Sequence, residues 1–491
     1  MKALFRRRTE MGLLILAAVF LAVTLANLEL SQGNALTTDM LWLIGGFIVV
    51  FSIAHVALCL LAPHADQILL PVASVLNGLG LVTIYRLDIA NGTGMATRQV
   101  MWTLVGIVLL IGVLVVLRDH KSLTRYSYLL GLVGLILLAL PLVWPTSINA
   151  DARIWISIGP FSVQPGEFSK ILLLLFFAQL LVSKRALFNV AGYRFLGLEF
   201  PRLRDLAPIF AVWAVAILIM AISNDFGPAL LLFTTVLGMM YLATARASWL
   251  LIGVAMVGVG AFAVYQVSAK IQERVTNFLD PVANYDSTGY QLSQSLFGLS
   301  WGGITGTGLG QGHPEIVPVA HSDFILAAVG EELGLIGLAA VLVLFALLVS
   351  RGFRAALTVR DSYGKLVAAG LSLTIAIQIF VVTAGISALM PMTGLTTPFM
   401  SAGGSSLMAN YILLGLLLRI SNSARRPADS PENAPAALEA GKRGRRHRPV
   451  PGSPARGGDP VDEPFHPSRR GLRPAAHPRP AGQPHRHPGL P

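Results

Sequence analysis

Twelve apolar runs follow one another along this chain, near residues 11–30, 41–62, 67–87, 99–117, 127–144, 168–183, 207–222, 228–244, 249–268, 324–350, 365–389 and 405–420. A bilayer-crossing helix needs about 20 mostly apolar residues. A soluble core cannot hold so many runs, because single cores stop growing near about 250–300 residues. Hydrophobic residues make up 54% of the 491 residues and charged ones 13%, with mean hydropathy +0.66. The fold class is an all-α polytopic membrane protein of about twelve transmembrane helices. Runs 168–183, 207–222 and 405–420 are short. No small-residue cleavage site follows run 11–30, so it reads as a helix and not a signal peptide.

Basic residues orient the stack, because loops rich in Lys and Arg stay cytoplasmic. Arg6–Arg8, Arg118–Arg125, Lys184–Arg204, Arg246 and Arg351–Lys365 alternate with loops nearly free of them. Lys270 and Arg274, just past a span, are the exception. Both termini are expected in the cytoplasm, with 145–167, 269–323 and 390–404 outside. The net charge of +12 is concentrated in the tail: from Arg419 onward there are 14 Lys/Arg against 6 Asp/Glu. The charge therefore argues for a membrane-flanking, basic-tailed protein and not for nucleic-acid binding. The single cysteine, Cys59, excludes an intramolecular disulfide and CxxC chemistry, and is expected inside a helix.

The tail is rich in Pro, Arg, Ala, Gly and His, so residues 421–491 are expected to be disordered. Its Lys442–Arg448 cluster would either touch anionic headgroups or be simply solvated. GGITGTGLGQG (302–312) resembles a phosphate-cradling loop, but no GK[ST] follows it. A flexible glycine turn in an ordered external loop is the preferred reading.

Ionisable residues within or beside spans are expensive and mark function. Glu167 and Lys170 share a helix face at i,i+3. They form either an edge ion pair or, with Arg153, an outer pocket for an anionic group. Asp225, in SNDFGP, suits an N-cap with Pro228 in the first turn. Asp323 likewise suits a helix N-terminus, but the Glu331–Glu332 pair two turns deeper needs partners. The segment Pro391–Ser406, holding Ser401, has the Gly, Pro and hydroxyl content of a broken or re-entrant stretch. These features face outward together. They fit an enzyme acting on a lipid-linked polar substrate, or a transporter with its site near that face.

Six motifs in chain order carry a resemblance: RIWISIGPFSVQPGEFSK (153–170), SNDFGPALLLF (223–233), RVTNFLDP (274–281), GYQLSQSLFG (289–298), AHSDFILAAVGEELGLIG (320–337) and PMTGLTTPFMSAGGSSL (391–407). In these the chain resembles the SEDS family of shape, elongation, division and sporulation proteins, with an N-terminal extension like that of actinobacterial members. The resemblance implies a ten-helix core over 67–420, preceded by two extra helices in 1–66. It also implies polymerisation of lipid II into glycan strands beside a class B penicillin-binding protein, in elongation or in division. The family's essential aspartate falls on Asp323. Arg153, Gln164, Glu167, Lys170 and Ser401 would meet substrate, and Asp225, Asp280, Glu331 and Glu332 would support the site. Val319 stands where the family has a glutamate before its HTDF motif, and Glu315 is the nearest stand-in. Gly166 and Ala402 are further departures, from Ser and Tyr. Lipid II carries an α-linked sugar and the polymer is β-linked, so one inverting displacement with one base suffices. No cofactor is required by the resemblance; a divalent cation, Mg or Mn, could share the task of offsetting pyrophosphate charge, but the sequence shows no dedicated metal site. A lipid II flippase and a non-catalytic scaffold are the competing functions.

Overall fold

The computed structural model describes residues 7–33, 35, 37–144, 153–159, 161–185, 193–195, 198–200 and 203–426. Residues 427–491, which hold nearly all of the basic tail, lie outside the described residues, as does most of the 186–202 connection.

Each apolar run falls in its own helix: α1 (Arg8–Ser31), α2 (Thr38–Leu61), α3 (Leu69–Asn91), α4 (Met95–Val116), α6 (Ser127–Val143) and α7 (Pro165–Ser183) in the first half. The second half holds α8 (Leu203–Ile222), α9 (Phe226–Thr244), α10 (Ser248–Val267), α13 (Ile325–Thr358), α14 (Ser362–Ile386) and α15 (Gly404–Ala424). Ten are long and apolar enough to cross a membrane, while Ser127–Val143 and the described Ala211–Ile222 are shorter. The turn α5 (Ser122–Arg125), two short antiparallel hairpins (β1, Ile156–Ile158, with β2, Phe161–Val163; β3, Tyr193–Phe195, with β4, Leu198–Phe200), α11 (Ala269–Leu279), α12 (Tyr290–Gly302) and a 3-10 turn at Pro314–Ile316 complete the described elements. The long connection read as an external loop thus contains two helices.

Burial sorts the helices. A helix apolar all round belongs in the centre of a bundle, and α14 and α15 are buried along most of their length. Among described residues α10 buries only Ser248, Trp249 and Gly253, so it stands at the periphery. The most extensive packings are α6 on α7, α4 on α15, α13 on α14, and α12 on α13. Cys59 is buried in α2, as expected.

Two irregular stretches interrupt this array, and both are satisfied by polar groups within it. Residues 391–403 are non-helical, and backbone carbonyls left free in a membrane interior need donors. Asn77 in α3 donates to the Phe399 carbonyl (3.2 Å), Gln99 in α4 to that of Ser401 (3.1 Å), and Gln378 in α14 to that of Thr396 (2.7 Å). The second interruption is in α13, which breaks at Gly334 (φ 67°, ψ −169°). The glycine run packs into that break. Thr307 and Gly308 donate their N–H groups to the carbonyls of Glu331 and Glu332, both at 3.0 Å. Leu335 and Ile336 return the bonds to the carbonyls of Gly303 (2.9 Å) and Ile304 (3.1 Å). The expected flexible turn is therefore a backbone plug with a defined partner.

Candidate functional site

At one end of the bundle, the connections before α7, between α8 and α9, around α11, before α13 and before α15 converge on two cavities that share Gly394. The larger, about 820 Å³, is lined by Asp323, Lys270, Glu273 and Arg274, with Val264 and Val267 of peripheral α10 on its wall. The smaller, about 310 Å³, is lined by Trp155, Gln164, Glu167, Asp225, His321 and the hydroxyl residues Thr396, Ser405 and Ser406. One cavity thus brings two cations and two carboxylates together. The other offers two carboxylates, hydroxyls and an indole, which suits a sugar.

Asp323 sits one residue ahead of the α13 cap position, which Phe324 occupies without a side-chain capping bond. The expected N-cap role is not what the carboxyl does. It faces the cavity, and burial raises its pKa above the ordinary carboxylate value, opposed by its own backbone N–H and by Arg274. The segment before it is pinned to the broken stretch: Ala402 donates its N–H to the His321 carbonyl (2.8 Å), and the Ser401 hydroxyl donates to the Ser322 carbonyl (2.6 Å). Ser401 also accepts the Thr397 N–H (2.8 Å) and is buried. The hydroxyl expected to meet substrate is committed to holding the Asp323 segment.

Asp225 occupies the N-cap position of α9 but makes no side-chain capping bond, so the capping reading fails for it as well. Its carboxyl is pushed up to about 7, first by burial and then by the charge of Glu167, with Lys270, Lys170 and Arg274 opposing. Gly227 follows because a side chain there would overlap the Thr393 carbonyl, which packs on the first turn of α9. Glu167 and Lys170 form the expected ion pair at 2.7 Å, largely buried. Gln164 caps α7 by position, and its N–H donates to Ser405 Oγ (2.9 Å). Arg153 is exposed, near Gln164 and Asp225, not beside Lys170 in one anion pocket. Asp280 lies outside both cavities and shapes the turn after α11, accepting the Ala283 N–H (2.9 Å).

Sequence reasoning missed three site residues. Lys270 and Arg274 looked like an exception to charge orientation, yet they line the Asp323 cavity. Burial lowers the Arg274 pKa, and Asp323 and Asp225 hold it up. Arg86, near the end of α3, is the partner that Glu332 needed, at 2.9 Å. Glu331 accepts the His313 N–H at 2.6 Å. Glu315, the expected stand-in for the carboxylate missing at 319, pairs with Arg86 (3.2 Å) and lines neither cavity. The described donors do not suit a protein-held cation: no three His, Cys, Asp or Glu converge among the described residues, and Glu167 is taken by Lys170.

Comparison with known proteins places this architecture. The chain is 48% identical over 445 residues to the peptidoglycan glycosyltransferase RodA of Mycobacterium bovis, covering 89% of this chain and 95% of that protein. It is 32% identical to the stage V sporulation protein E of Bacillus subtilis, covering 73% and 98%. A solved peptidoglycan synthase complex, described as coordinating polymerisation and crosslinking, includes a chain of the same fold: 25% identity, TM-score 0.61, 74% and 99% coverage. A Thermus thermophilus rod shape determining protein RodA, 24% identical with TM-score 0.51 and coverage of 74% and 99%, shares the fold. The profile described as "Cell cycle protein" (FtsW/RodA/SpoVE) matches residues 66–426, which leaves α1 and α2 outside it. The chain belongs to the FtsW/RodA/SpoVE family of cell cycle proteins.

Proposed function

We infer that this membrane protein is a peptidoglycan glycosyltransferase that polymerises lipid II in cell-wall synthesis. We place its site at the outer face of the bacterial cytoplasmic membrane, with both termini inside and a class B penicillin-binding protein as its crosslinking partner. The observation that carries the chemistry is the half-buried carboxylate of Asp323, which shares a large cavity with Lys270, Arg274 and the exposed Glu273, open toward a peripheral helix.

The acceptor's 4-hydroxyl attacks the anomeric carbon of the donor sugar. The new glycosidic bond forms as the bond to undecaprenyl pyrophosphate breaks, with inversion. Asp323 takes the hydroxyl proton, work worth about 10²–10⁴-fold in rate. Its raised pKa makes it a better acceptor than an ordinary carboxylate. Lys270 and Arg274 offset the charge gathering on the leaving pyrophosphate. The prenyl chain leaves along the apolar wall of α10. In the smaller cavity, Trp155 and the hydroxyl residues hold sugar, while the Glu167–Lys170 pair and Asp225 set its charge. A flippase would need charged residues along a route through the bilayer, and the cavity-facing charges instead gather at one end.

The test is polymerisation of purified lipid II in detergent, with and without the class B partner, comparing wild type with Asp323→Asn. Polymer from wild type and none from a folded variant is the expected result. Equal polymer from both removes Asp323 as the base. No polymer from wild type with its partner present puts transport or scaffolding ahead.

A further inference from the structure

Arg86 clasps three parts of the chain at once. Its Nε donates to Glu332 (2.9 Å), and its Nη2 donates to the Gly312 carbonyl (2.7 Å) and to Glu315 (3.2 Å). Two of these acceptors lie before Asp323 in sequence and one lies after it. The guanidinium therefore closes the base of the loop on which Asp323 is carried. That loop is closed a second time by Glu331, which accepts the His313 N–H, and by the plug of residues 303–308 in the break of α13. On its far side the plug is braced by the end of α1. Gln32 donates to the Gly310 carbonyl, and Gln311 donates back to the Ser31 carbonyl (3.0 Å).

We propose that Arg86 is a positioning residue for Asp323, acting through Glu315 and Glu332, with the end of α1 as a brace for the same loop. This rests on the glycosyltransferase reading above. The physical ground is that a planar guanidinium fixes direction as well as distance to several acceptors, which an ammonium does not. The Ser401 and Ala402 bonds hold the chain only at residues 321 and 322. Gln291 holds the Pro318 carbonyl (2.7 Å), and the two ends of the loop are set by where 312–315 and 331–332 lie, both of which Arg86 binds. Glu315 accordingly has a use different from that of a carboxylate at 319. It anchors the loop from behind, and Val319 lines the smaller cavity in its place.

The test uses full-length protein with its class B partner and purified lipid II, with initial rates measured against lipid II concentration. Three variants are compared: Glu315→Gln, Arg86→Lys and Gln32→Ala. Glu315 is the safest of these for folding, since its side chain is 23% exposed. Because small displacements of a catalytic group are expensive, Glu315→Gln should lower kcat about 3- to 10-fold and Arg86→Lys about 10- to 50-fold, with KM within about twofold. Gln32→Ala should lower kcat about 2- to 3-fold. Thermal unfolding temperatures of Glu315→Gln and wild type should agree. Unchanged kcat in both Glu315→Gln and Arg86→Lys overturns the proposal and leaves Arg86 a purely structural residue. A raised KM at constant kcat overturns it too, in favour of direct substrate contact. An inactive wild type would instead remove the glycosyltransferase reading itself.

Discussion

Arg274 and Asp225 carry the sharpest expectations at the scale of single residues. Arg274 faces Asp323 and lines the larger cavity without belonging to any ion pair at bonding distance among the described residues. Its charge is therefore available to a pyrophosphate, and Arg274→Ala should lower kcat by about 10²-fold, as removal of one preorganised charge partner does. Arg274→Lys should recover part of that rate, measured in the same polymerisation assay. Asp225 differs because its effect is on pH. Its folded pKa, about 7, lies above the ordinary carboxylate value. Protonation is thus favoured by folding, and the stability this contributes is complete below the ordinary value and lost as pH rises through about 7. Wild type should lose thermal stability as pH rises from about 4 to about 7, and Asp225→Asn should flatten that slope. A slope unchanged by the substitution would show that another group titrates there. The catalytic rate should rise with pH along a limb set by Asp323, whose pKa burial also raises.

At the scale of elements, the glycine run shows why sequence reading reached some features and not others. Gly306 has φ +87°, and a side chain there would overlap the Glu332 carbonyl that the plug must reach. Gly306→Ala combines left-handed strain with that overlap and should cost about 1–3 kcal/mol. The cost would be read as a lower unfolding temperature with loss of polymerisation. Ten membrane-length helices, two shorter apolar ones and the broken stretch before α15 were legible because apolar length and Gly/Pro/hydroxyl content are local properties. The plug was not, because its partner is a helix break about 30 residues further on, and the apolar run across Gly334 reads as one unbroken helix. The same reason hid Asn77, Gln99 and Gln378. Each looks like an isolated polar residue in a span until the carbonyl it serves arrives from a distant segment. Asp323, Glu167 and Lys170 could be picked out because their motif spacing survives in the chain, and Asp323 and Glu167 line the two cavities. Arg86 lies 229 residues from Glu315, and no local pattern links them. Ser401 was placed in the right neighbourhood and given the wrong task, since sequence does not say which way a hydroxyl points.

For the whole molecule, the question is what joins the two helices outside the family match to the ten-helix core. The junction is residues 62–66. Arg7, fully buried, donates to the carbonyls of Ala62 (3.0 Å), Ala65 (2.9 Å) and Asp66 (3.1 Å) and pairs with Glu10, which in turn meets His55 at 2.7 Å. Asp66 faces the other way. It pairs with Arg425 and lies 3.8 Å from Arg351, while its N–H donates to Ser421 Oγ (3.0 Å). One short linker therefore receives the N-terminal hairpin on one side and the last core helix on the other. The two halves of this tie should differ in strength because they differ in exposure. Arg425 is 36% exposed although Asp66 is only 2% exposed, so water reaches the cation and screens the pair from that side; an asparagine at 66 can keep the bond from the Ile68 N–H (2.8 Å), so Asp66→Asn should cost about 1 kcal/mol. Arg7 and Glu10 are both 0% exposed, so removing the cation strands a buried carboxylate and three carbonyls. Arg7→Met should then cost about 3–5 kcal/mol. Thermal unfolding of the two variants in one detergent measures the difference directly. Protease cleavage between α2 and α3 should appear in Arg7→Met well below its main transition if the hairpin releases first. Equal losses in the two variants would mean that the hairpin is held by its apolar contacts with α3 and α4 and not by the polar junction.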